Sequence, residues 1–324
     1  MLASMAIRLL RGAAVVLGVL ALTFVLLHAA PGDPVRRMLG PNAAPEQVAA
    51  QRRTLGLDRP LAGQFLSWAR AFATGDWGRS IATGEPVRAT IARAWPRTVL
   101  LVGLSIGFSY LLGILVGAVQ GWRAPSATDT GLSVTTVTLF AMPSYWLGLL
   151  LVMLFAYELR WLPAFGASGL DADFLSPGAR VLDAVRHLVL PLATLTLIGI
   201  AGTARFVRGA VLDLRREPFV TVAAAKGVAP RRLLFHHLLR NALVPVVTLL
   251  GLSMPALFSG AVFVETIFAW PGVGRILVEG VQARDYPVVM AATAISATLV
   301  VAGNLMAEWL TAVLDPRLRT VREP

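Results

Sequence analysis

Six long apolar stretches, separated by polar and charged segments, dominate the pattern along the chain. Each has at least 17 consecutive residues without a charged side chain, and they lie at 12–32, 98–119, 130–157, 188–204, 242–264 and 286–307. A helix needs about 20 apolar residues to cross the hydrocarbon core of a bilayer, and a helix satisfies its own backbone hydrogen bonds there. The pattern predicts an all-α integral membrane protein with six transmembrane helices, at about 8–30, 98–120, 130–157, 187–208, 242–265 and 286–313.

The composition agrees with a membrane protein. Hydrophobic residues make up 56% of the 324 residues and charged residues 15%, against about 25% charged residues in soluble domains. The first apolar stretch is longer than the roughly 7–15 residues of a signal-peptide core, and His28 stands where a small residue would precede cleavage. We therefore expect a retained first helix rather than a signal peptide.

The distribution of charge sets the expected orientation. With six spans, the side that holds both termini collects 14 basic and 6 acidic residues, and the opposite side collects 15 and 12. Many basic residues of the opposite side belong to the long segment 31–97, and long loops translocate largely regardless of their charge. We predict cytoplasmic termini. The net charge of +11 then faces anionic lipid headgroups, and we expect membrane lipids rather than nucleic acid as its counterpart.

The largest segment outside the predicted spans is the outer loop, 31–97. Its turn residues and apolar spacing predict a helix from Pro45 to about Leu55 and a second helix at about 61–73. The loop has too little apolar surface for a core of its own, so we expect it to cap the outer ends of the helices. The sequence thus predicts a single transmembrane domain over 1–324.

The central polar segment, 205–241, carries eight basic side chains and two acidic ones. Pro218 suits the first turn of a helix and Gly227 suits the left-handed residue that follows its end. A second helix would begin at Pro230. Such a helix–glycine–helix elbow fits a docking surface for a cytoplasmic partner, and an amphipathic helix lying on anionic lipid is the alternative.

Within this segment, the run at 221–227 (TVAAAKG) and the run at 240–245 (RNALVP) resemble the coupling loop of ATP-binding-cassette importer permeases. The variant is that of the dipeptide/oligopeptide/nickel family. The wider importer motif has Glu-Ala-Ala where this chain has Thr221-Val222-Ala223, and Leu-Pro where it has Leu239-Arg240. Both departures are typical of the dipeptide/oligopeptide/nickel family.

Further blocks extend the resemblance over nearly the whole chain, although Trp77 stands where the family more often has leucine. These blocks lie in the family's order at 31–34 (PGDP), 55–60 (LGLDRP), 75–80 (GDWGRS), 161–166 (WLPAFG), 265–274 (ETIFAWPGVG), 284–287 (RDYP) and 314–317 (LDPR). Each block alone is a weak motif, whereas their ordered set is specific.

The resemblance implies the type I importer permease fold in the bacterial inner membrane. It also implies a homologous second permease subunit, two ATPase subunits and an extracytoplasmic substrate-binding protein. A cytoplasmic coupling loop at 209–241 would contact the ATPase through Phe219, Thr221, Ala223, Ala224, Ala225, Lys226, Gly227, Arg231 and Arg232. The substrate would be a peptide or a related small solute.

Catalytic and cofactor chemistry is expected elsewhere. A phosphate-binding loop needs a glycine-rich run that ends in Lys-Ser or Lys-Thr, but the only lysine, Lys226, is followed by Gly227. We expect ATP and Mg²⁺ on the partner subunits, no cofactor on this chain and no enzyme activity of its own. The histidines predict no metal site, because His236 and His237 are adjacent and His28 and His187 belong to the other side of the membrane.

Polar residues inside the predicted spans are candidates for the translocation path. Serine and threonine also form hydrogen bonds between membrane helices, so a purely structural role for these residues is the alternative. The candidates are Thr248, Ser253, Ser259, Glu265, Ser296 and Asn304. A self-sufficient secondary transporter or channel is the alternative function, and it would call for inverted repeats and ion-coupling acidic residues in the membrane.

Overall fold

A computed structural model describes residues 2–29, 34–40, 42–54 and 56–314 of the chain. Thirteen α-helices are named within these residues: α1 (Leu2–Ala29), α2 (Pro34–Leu39), α3 (Pro45–Thr54), α4 (Leu61–Ala73), α5 (Val87–Arg123), α6 (Ala127–Ala141), α7 (Ser144–Leu151), α8 (Pro177–Leu214), α9 (Pro218–Ala225), α10 (Pro230–Arg232), α11 (Leu239–Ile267), α12 (Val273–Ala283) and α13 (Tyr286–Leu314). Helix α7 continues as a π-helix over Val152–Glu158, and α10 continues as one over Leu233–Leu238. The predicted all-α class is thereby confirmed for the described residues.

The chain divides into two compact units. Unit one comprises Met1–Thr98 and Pro271–Val301, and unit two comprises Val99–Trp270 and Ala302–Pro324. In unit one, Leu20 and Phe24 of α1 pack with Met290 and Ala294 of α13, and Phe65 and Trp68 of α4 lie against them. The outer loop therefore packs on the ends of α1 and α13 within unit one, in agreement with the predicted cap.

A buried carboxylate holds the outer loop in unit one. Asp285 precedes α13 and is 2% exposed. It accepts hydrogen bonds from the Ser80 hydroxyl, from the Ala82 amide at 3.1 Å and from the Val288 amide at 3.3 Å. The sequence blocks 75–80 and 284–287, which lie far apart along the chain, thus meet in space.

Unit two is built around α8. Its core includes Leu190 and Leu195 of α8, Leu147 of α7, and Val264 and Phe268 at the end of α11. The Gly166 amide donates to the Phe268 carbonyl at 2.8 Å. The blocks 161–166 and 265–274 therefore also meet.

Helices α5 and α8 approach each other along a row of glycines. A Cβ atom added at Gly113, Gly117 or Gly121 would lie 2.6, 2.4 or 2.7 Å from the nearest atom of α8. The three glycines are spaced four residues apart, so they share one face of α5. Small residues at this spacing allow two membrane helices to pack with close backbones.

The predicted spans correspond to helices in most cases. Within the described residues, Ala6–Ala29, Val87–Arg123, Pro177–Leu214 and Tyr286–Met306 are long and apolar enough to cross a membrane. A bent pair, Ala127–Ala141 with Ser144–Glu158, would make a fifth span if counted as one. In α11 the described apolar stretch is Phe258–Ile267, since the side chains at 243–245, 247–249 and 251–257 lie outside the described part of the structure. Six spans and cytoplasmic termini stay predictions.

The predicted third span, 130–157, consists of two helices bent by 108° at a break between them. Helix α6 ends at Ala141, and Met142 is extended with φ −76° and ψ 132°. Pro143 disfavours helical backbone at the residue before it, and α7 restarts at Ser144. By contrast, Pro96 and Pro191 lie inside the continuous helices α5 and α8.

The helices predicted in the extramembrane segments are confirmed. Helix α4 spans Leu61–Ala73 as expected, and α3 begins at Pro45 and ends at Thr54. Leu55, where α3 was expected to end, lies outside the described residues, as do most of the blocks at 31–34 and 314–317. Helix α8 continues past Arg205 to Leu214, so the first six residues of the predicted coupling loop, 209–214, are helical.

Candidate functional site

Helix α9 is short and has defined ends. Pro218 occupies its first turn, and Lys226 follows its last residue. Gly227 then adopts φ +79°, a left-handed conformation that glycine reaches without steric cost. The Gly227 amide donates to the Ala224 carbonyl at 2.9 Å, and the Val228 amide donates to the Ala223 carbonyl at 3.2 Å. This pair of bonds is a Schellman motif, and it confirms the predicted helix and its glycine end.

The inner face of α9 lies on an apolar bed. Val220 is 7% exposed, and Ala223 and Val228 are half-buried beside it. The bed consists of buried residues of α5, α8, the π-helical turn and α11, namely Ala118, Val207, Val211, Leu233, Leu234, Leu238, Leu239, Ala242 and Val246. Displacing α9 would therefore expose side chains on four neighbouring elements of unit two.

The outer face of α9 is uncovered and partly apolar. Val222 is 52% exposed and Phe219 39%, while Thr221, Ala224, Ala225, Lys226 and Gly227 are exposed around them. Arg231 and Arg232 are exposed on α10. The structure thus brings eight of the nine predicted coupling residues to an uncovered surface. Ala223 is the ninth, and it lies half-buried on the bed.

Val222 was missed by the sequence reasoning. Its signal was present, because it lies three residues after Phe219 and therefore on the same face of a helix. We call Phe219, Val222, Ala225 and Lys226, with their exposed neighbours Thr221 and Ala224, the α9 outer surface.

Three arginines near the end of α8 anchor this bed. Arg208 donates two hydrogen bonds to Asp129 of α6, at 2.7 and 2.8 Å, and Asp129 is 5% exposed. Arg215 donates to the carbonyls of Gly121 and Ala124 at 2.8 and 3.0 Å. Arg205 lies over the ring of Phe140, 5.2 Å from its centroid. Part of the basic charge of segment 205–241 therefore makes internal contacts instead of forming an open docking surface.

The candidate path residues that the structure describes differ in exposure. Glu265 is fully buried at the end of α11, whereas Ser259, on the same helix, is exposed. Ser296 and Asn304 of α13 are half-buried. The side chains of Thr248 and Ser253 lie outside the described part of the structure. Between residues 2 and 314, as far as the chain is described, there is no group of three or more histidine, cysteine, aspartate or glutamate side chains that could hold a metal ion.

Long apolar helices around an exposed, tightly capped short helix place this chain in the class of multi-span helical membrane proteins. Comparison with protein families then specifies the class. Residues 109–320 match the family described as "Binding-protein-dependent transport system inner membrane component", and residues 1–102 match "Binding-prot-dependent transport system membrane comp, N-term". The chain belongs to this family of transport-system membrane components, which confirms the resemblance drawn from the sequence.

Individual relatives match over almost their full length. The chain is 38% identical to the oligopeptide transport system permease protein AppB of Bacillus subtilis, over 96% of this chain and 97% of the relative. It is also 38% identical to the di/tripeptide transport system permease protein DppB of Pseudomonas aeruginosa, over 94% and 95%. The glutathione transport system permease protein GsiC of Salmonella choleraesuis is 35% identical, over 93% and 94%.

Proposed function

We propose that this chain is a permease subunit of an ATP-driven importer for peptides or a related small solute, in the bacterial inner membrane. It would form half of the translocation path together with a homologous permease subunit. An extracytoplasmic binding protein would deliver the substrate, and two separate ATPase subunits would supply the energy. The observation that carries the proposal is the α9 outer surface, an exposed apolar patch on a helix whose opposite face is firmly packed.

The packing of α9 suits the transmission of force. Val220, Ala223 and Val228 join α9 to the ends of α5, α8 and α11, and the Schellman motif fixes the turn into α10. A partner that pushed on Phe219 and Val222 would therefore move the long helices with α9 instead of bending the loop. Rigid-body movement of packed elements is a common form of transport gating.

The single lysine of the chain indicates that ATP binds to other subunits. Lys226 lies at the exposed end of α9 and is not part of a phosphate-binding loop. ATP and Mg²⁺ would bind to the partner ATPase subunits, and this chain would do no covalent chemistry. The chain would also contact membrane lipids, and nucleic acid is not among its proposed partners.

The substrate class rests on the relatives. Their printed names refer to oligopeptides, di- and tripeptides, and glutathione, all of which are small solutes with peptide bonds. For the path, we propose Glu265 as an outer gate element, since it is fully buried and begins the block 265–274. Ser259, Ser296 and Asn304, with Thr248 and Ser253, remain the other candidates for lining it.

A matched pair of substitutions tests the α9 outer surface. Val222 on α9 and Val281 on α12 are both 52% exposed, so the two substitutions are matched in residue type and in exposed fraction. Val222→Asp should lower recovery of the ATPase subunits with the purified chain by at least about tenfold, because a charge in the centre of an interface is poorly tolerated. Val281→Asp should leave that recovery unchanged. Equal recovery of the ATPases with both variants would refute the proposed docking role of α9.

A further inference from the structure

A cavity of about 790 Å³ opens in unit one, apart from α9 and its bed. Its walls come from the end of α1, the end of α3, α4, the loop 78–84 and the start of α13. This volume falls within the range of ordinary ligand sites. Neither the proposed coupling role nor the candidate path residues make use of it.

The charged side chains that line the cavity directly are all basic, and the nearest described carboxylate behind the wall, Asp285, is buried and bonded to Ser80. Arg53, Arg59 and Arg79 line it, and none of the described residues that line it is aspartate or glutamate. Arg79 donates one hydrogen bond, to the Gly84 carbonyl at 2.8 Å. Arg53 and Arg59 are exposed, and their guanidinium groups have no hydrogen-bond or ion-pair partner among the described residues. Guanidinium groups in this state favour an anion, and phosphate fits their planar donors well.

Part of the remaining wall is apolar and comes from candidate membrane spans. Phe24 and Leu27 belong to the last turns of a candidate span that ends at Ala29, and Met290 belongs to the first turns of one that begins at Tyr286. The arginines come from segments outside these spans. The cavity therefore combines an apolar wall from candidate spans with arginines from segments outside them.

An unsatisfied donor adds to this pattern. Trp68 lines the cavity, and its indole nitrogen is shielded from solvent with no hydrogen-bond acceptor among the described residues. A buried donor without a partner is costly, and an oxygen atom of a bound molecule would satisfy it after a small rotation of the ring towards the cavity. The side-chain amide of Gln64 cannot serve, because its oxygen faces His28 and its nitrogen donates to the carbonyls of Leu57 and Arg59.

We propose that this cavity binds an anionic phospholipid, with its phosphate near Arg53, Arg59 and Arg79 and its acyl chains against Phe24, Leu27 and Met290. A free peptide fits less well, since its ammonium group would need a carboxylate partner that the described lining does not offer. Basic groups beside an apolar membrane-level surface are the usual means of holding an anionic lipid.

The test is native mass spectrometry of the delipidated full chain, titrated with dioleoyl-phosphatidylglycerol or dioleoyl-phosphatidylcholine. We expect phosphatidylglycerol to bind more tightly by at least about 25-fold, since each arginine near the headgroup contributes roughly fivefold and at least two of them would contact it. The Arg53→Gln/Arg59→Gln variant should lose this preference. The matched control is Arg36→Gln/Arg70→Gln, which removes two exposed arginines of the same unit that do not line the cavity.

A second variant keeps the charges and removes the space. Ser67 is exposed and lines the cavity, so Ser67→Trp should fill it and abolish tight binding of phosphatidylglycerol. The proposal is overturned if the wild-type chain shows no preference between the two lipids, or if the two arginine variants lose it equally. Displacement of phosphatidylglycerol by trialanine would also overturn it, in favour of a peptide site. None of these readouts depends on transport.

Discussion

At the scale of single residues, the proposed coupling function depends on the left-handed backbone conformation of Gly227. Its φ of +79° strains any β-branched residue, although a Cβ atom there would meet open space. Gly227→Val should lower the stability of this turn by about 1–2 kcal/mol, because a residue with a Cβ atom is strained in left-handed backbone. We expect this strain to loosen the Schellman motif. We expect the variant to accumulate normally but to show uptake of a labelled peptide reduced at least about tenfold, with ATP hydrolysis uncoupled from transport.

The control for this substitution is Gly40→Val. Gly40 has φ +88° and also faces open space, so the backbone strain is similar, but the residue lies in the outer loop. Uptake by the Gly40→Val variant should stay close to normal. Normal uptake by a well-expressed Gly227→Val variant would contradict the role given to the end of α9.

Asp285 is the residue on which the outer loop depends. Asp285→Ala would leave the donors of Ser80, Ala82 and Val288 without their acceptor, and buried bonds to a charged group are each worth about 1.5–3 kcal/mol. We expect the free energy of unfolding to fall by at least about 4 kcal/mol, measured as a lower Tm of the purified chain. Asp76→Ala is the matched control, because Asp76 is exposed and accepts a single bond, from the Gly78 amide at 3.1 Å. Equal Tm values for the two variants would contradict this account.

At the scale of elements, the pairing of α5 with α8 supports the bed of α9. A Cβ atom at Gly117 would lie 2.4 Å from the Ala204 carbonyl oxygen, a backbone atom that cannot turn aside. Gly117→Leu should therefore separate the two helices and lower stability by at least about 1–3 kcal/mol. Gly107→Leu makes the same change on the same helix where nothing lies within 4 Å, and it should be tolerated.

Thermal unfolding of the two glycine variants in the same detergent checks this prediction. A reduced Tm is expected for Gly117→Leu only. If both variants melted like the wild type, the close approach of α5 and α8 would not be a determinant of stability.

The elements that could be predicted from the sequence are those with local signals. The charge-free windows located the long helices, and Pro218 with Gly227 located both ends of α9. Proline alone could not locate the break after α6, because Pro96 and Pro191 occur within unbroken helices, and prolines are tolerated where neighbouring helices satisfy the freed backbone groups. The break at Pro143 depends on packing that a single segment does not encode.

Contacts between residues that are far apart along the chain could not be predicted from the local sequence pattern either. Asp129 and Arg208 are 79 residues apart, and Ser80 and Asp285 are 205 apart. Nothing in the local pattern around either member specifies its partner. From the sequence, Arg208 was therefore counted with the open basic surface. In the structure it forms an ion pair with the buried Asp129. The exposed residues of α9 could be predicted, because the 3.6-residue period of a helix indicates which side chains share a face.

At the scale of the whole molecule, the features of this chain are those expected of one component of a larger assembly. The chain has an exposed apolar helix surface suited to a partner and no phosphate-binding loop of its own. Its relatives are named as permease proteins of transport systems. A secondary transporter would work without such partners, so the composition of the native complex separates the two functions.

The most direct test is affinity purification of this chain from its native host, in a detergent shown to preserve transporter complexes, with mass spectrometry of all retained proteins. The account predicts recovery of a homologous six-span permease and of ATPase subunits that carry a phosphate-binding loop. Recovery of the chain alone, or only as a homo-oligomer, would contradict the proposed importer and favour a self-sufficient transporter.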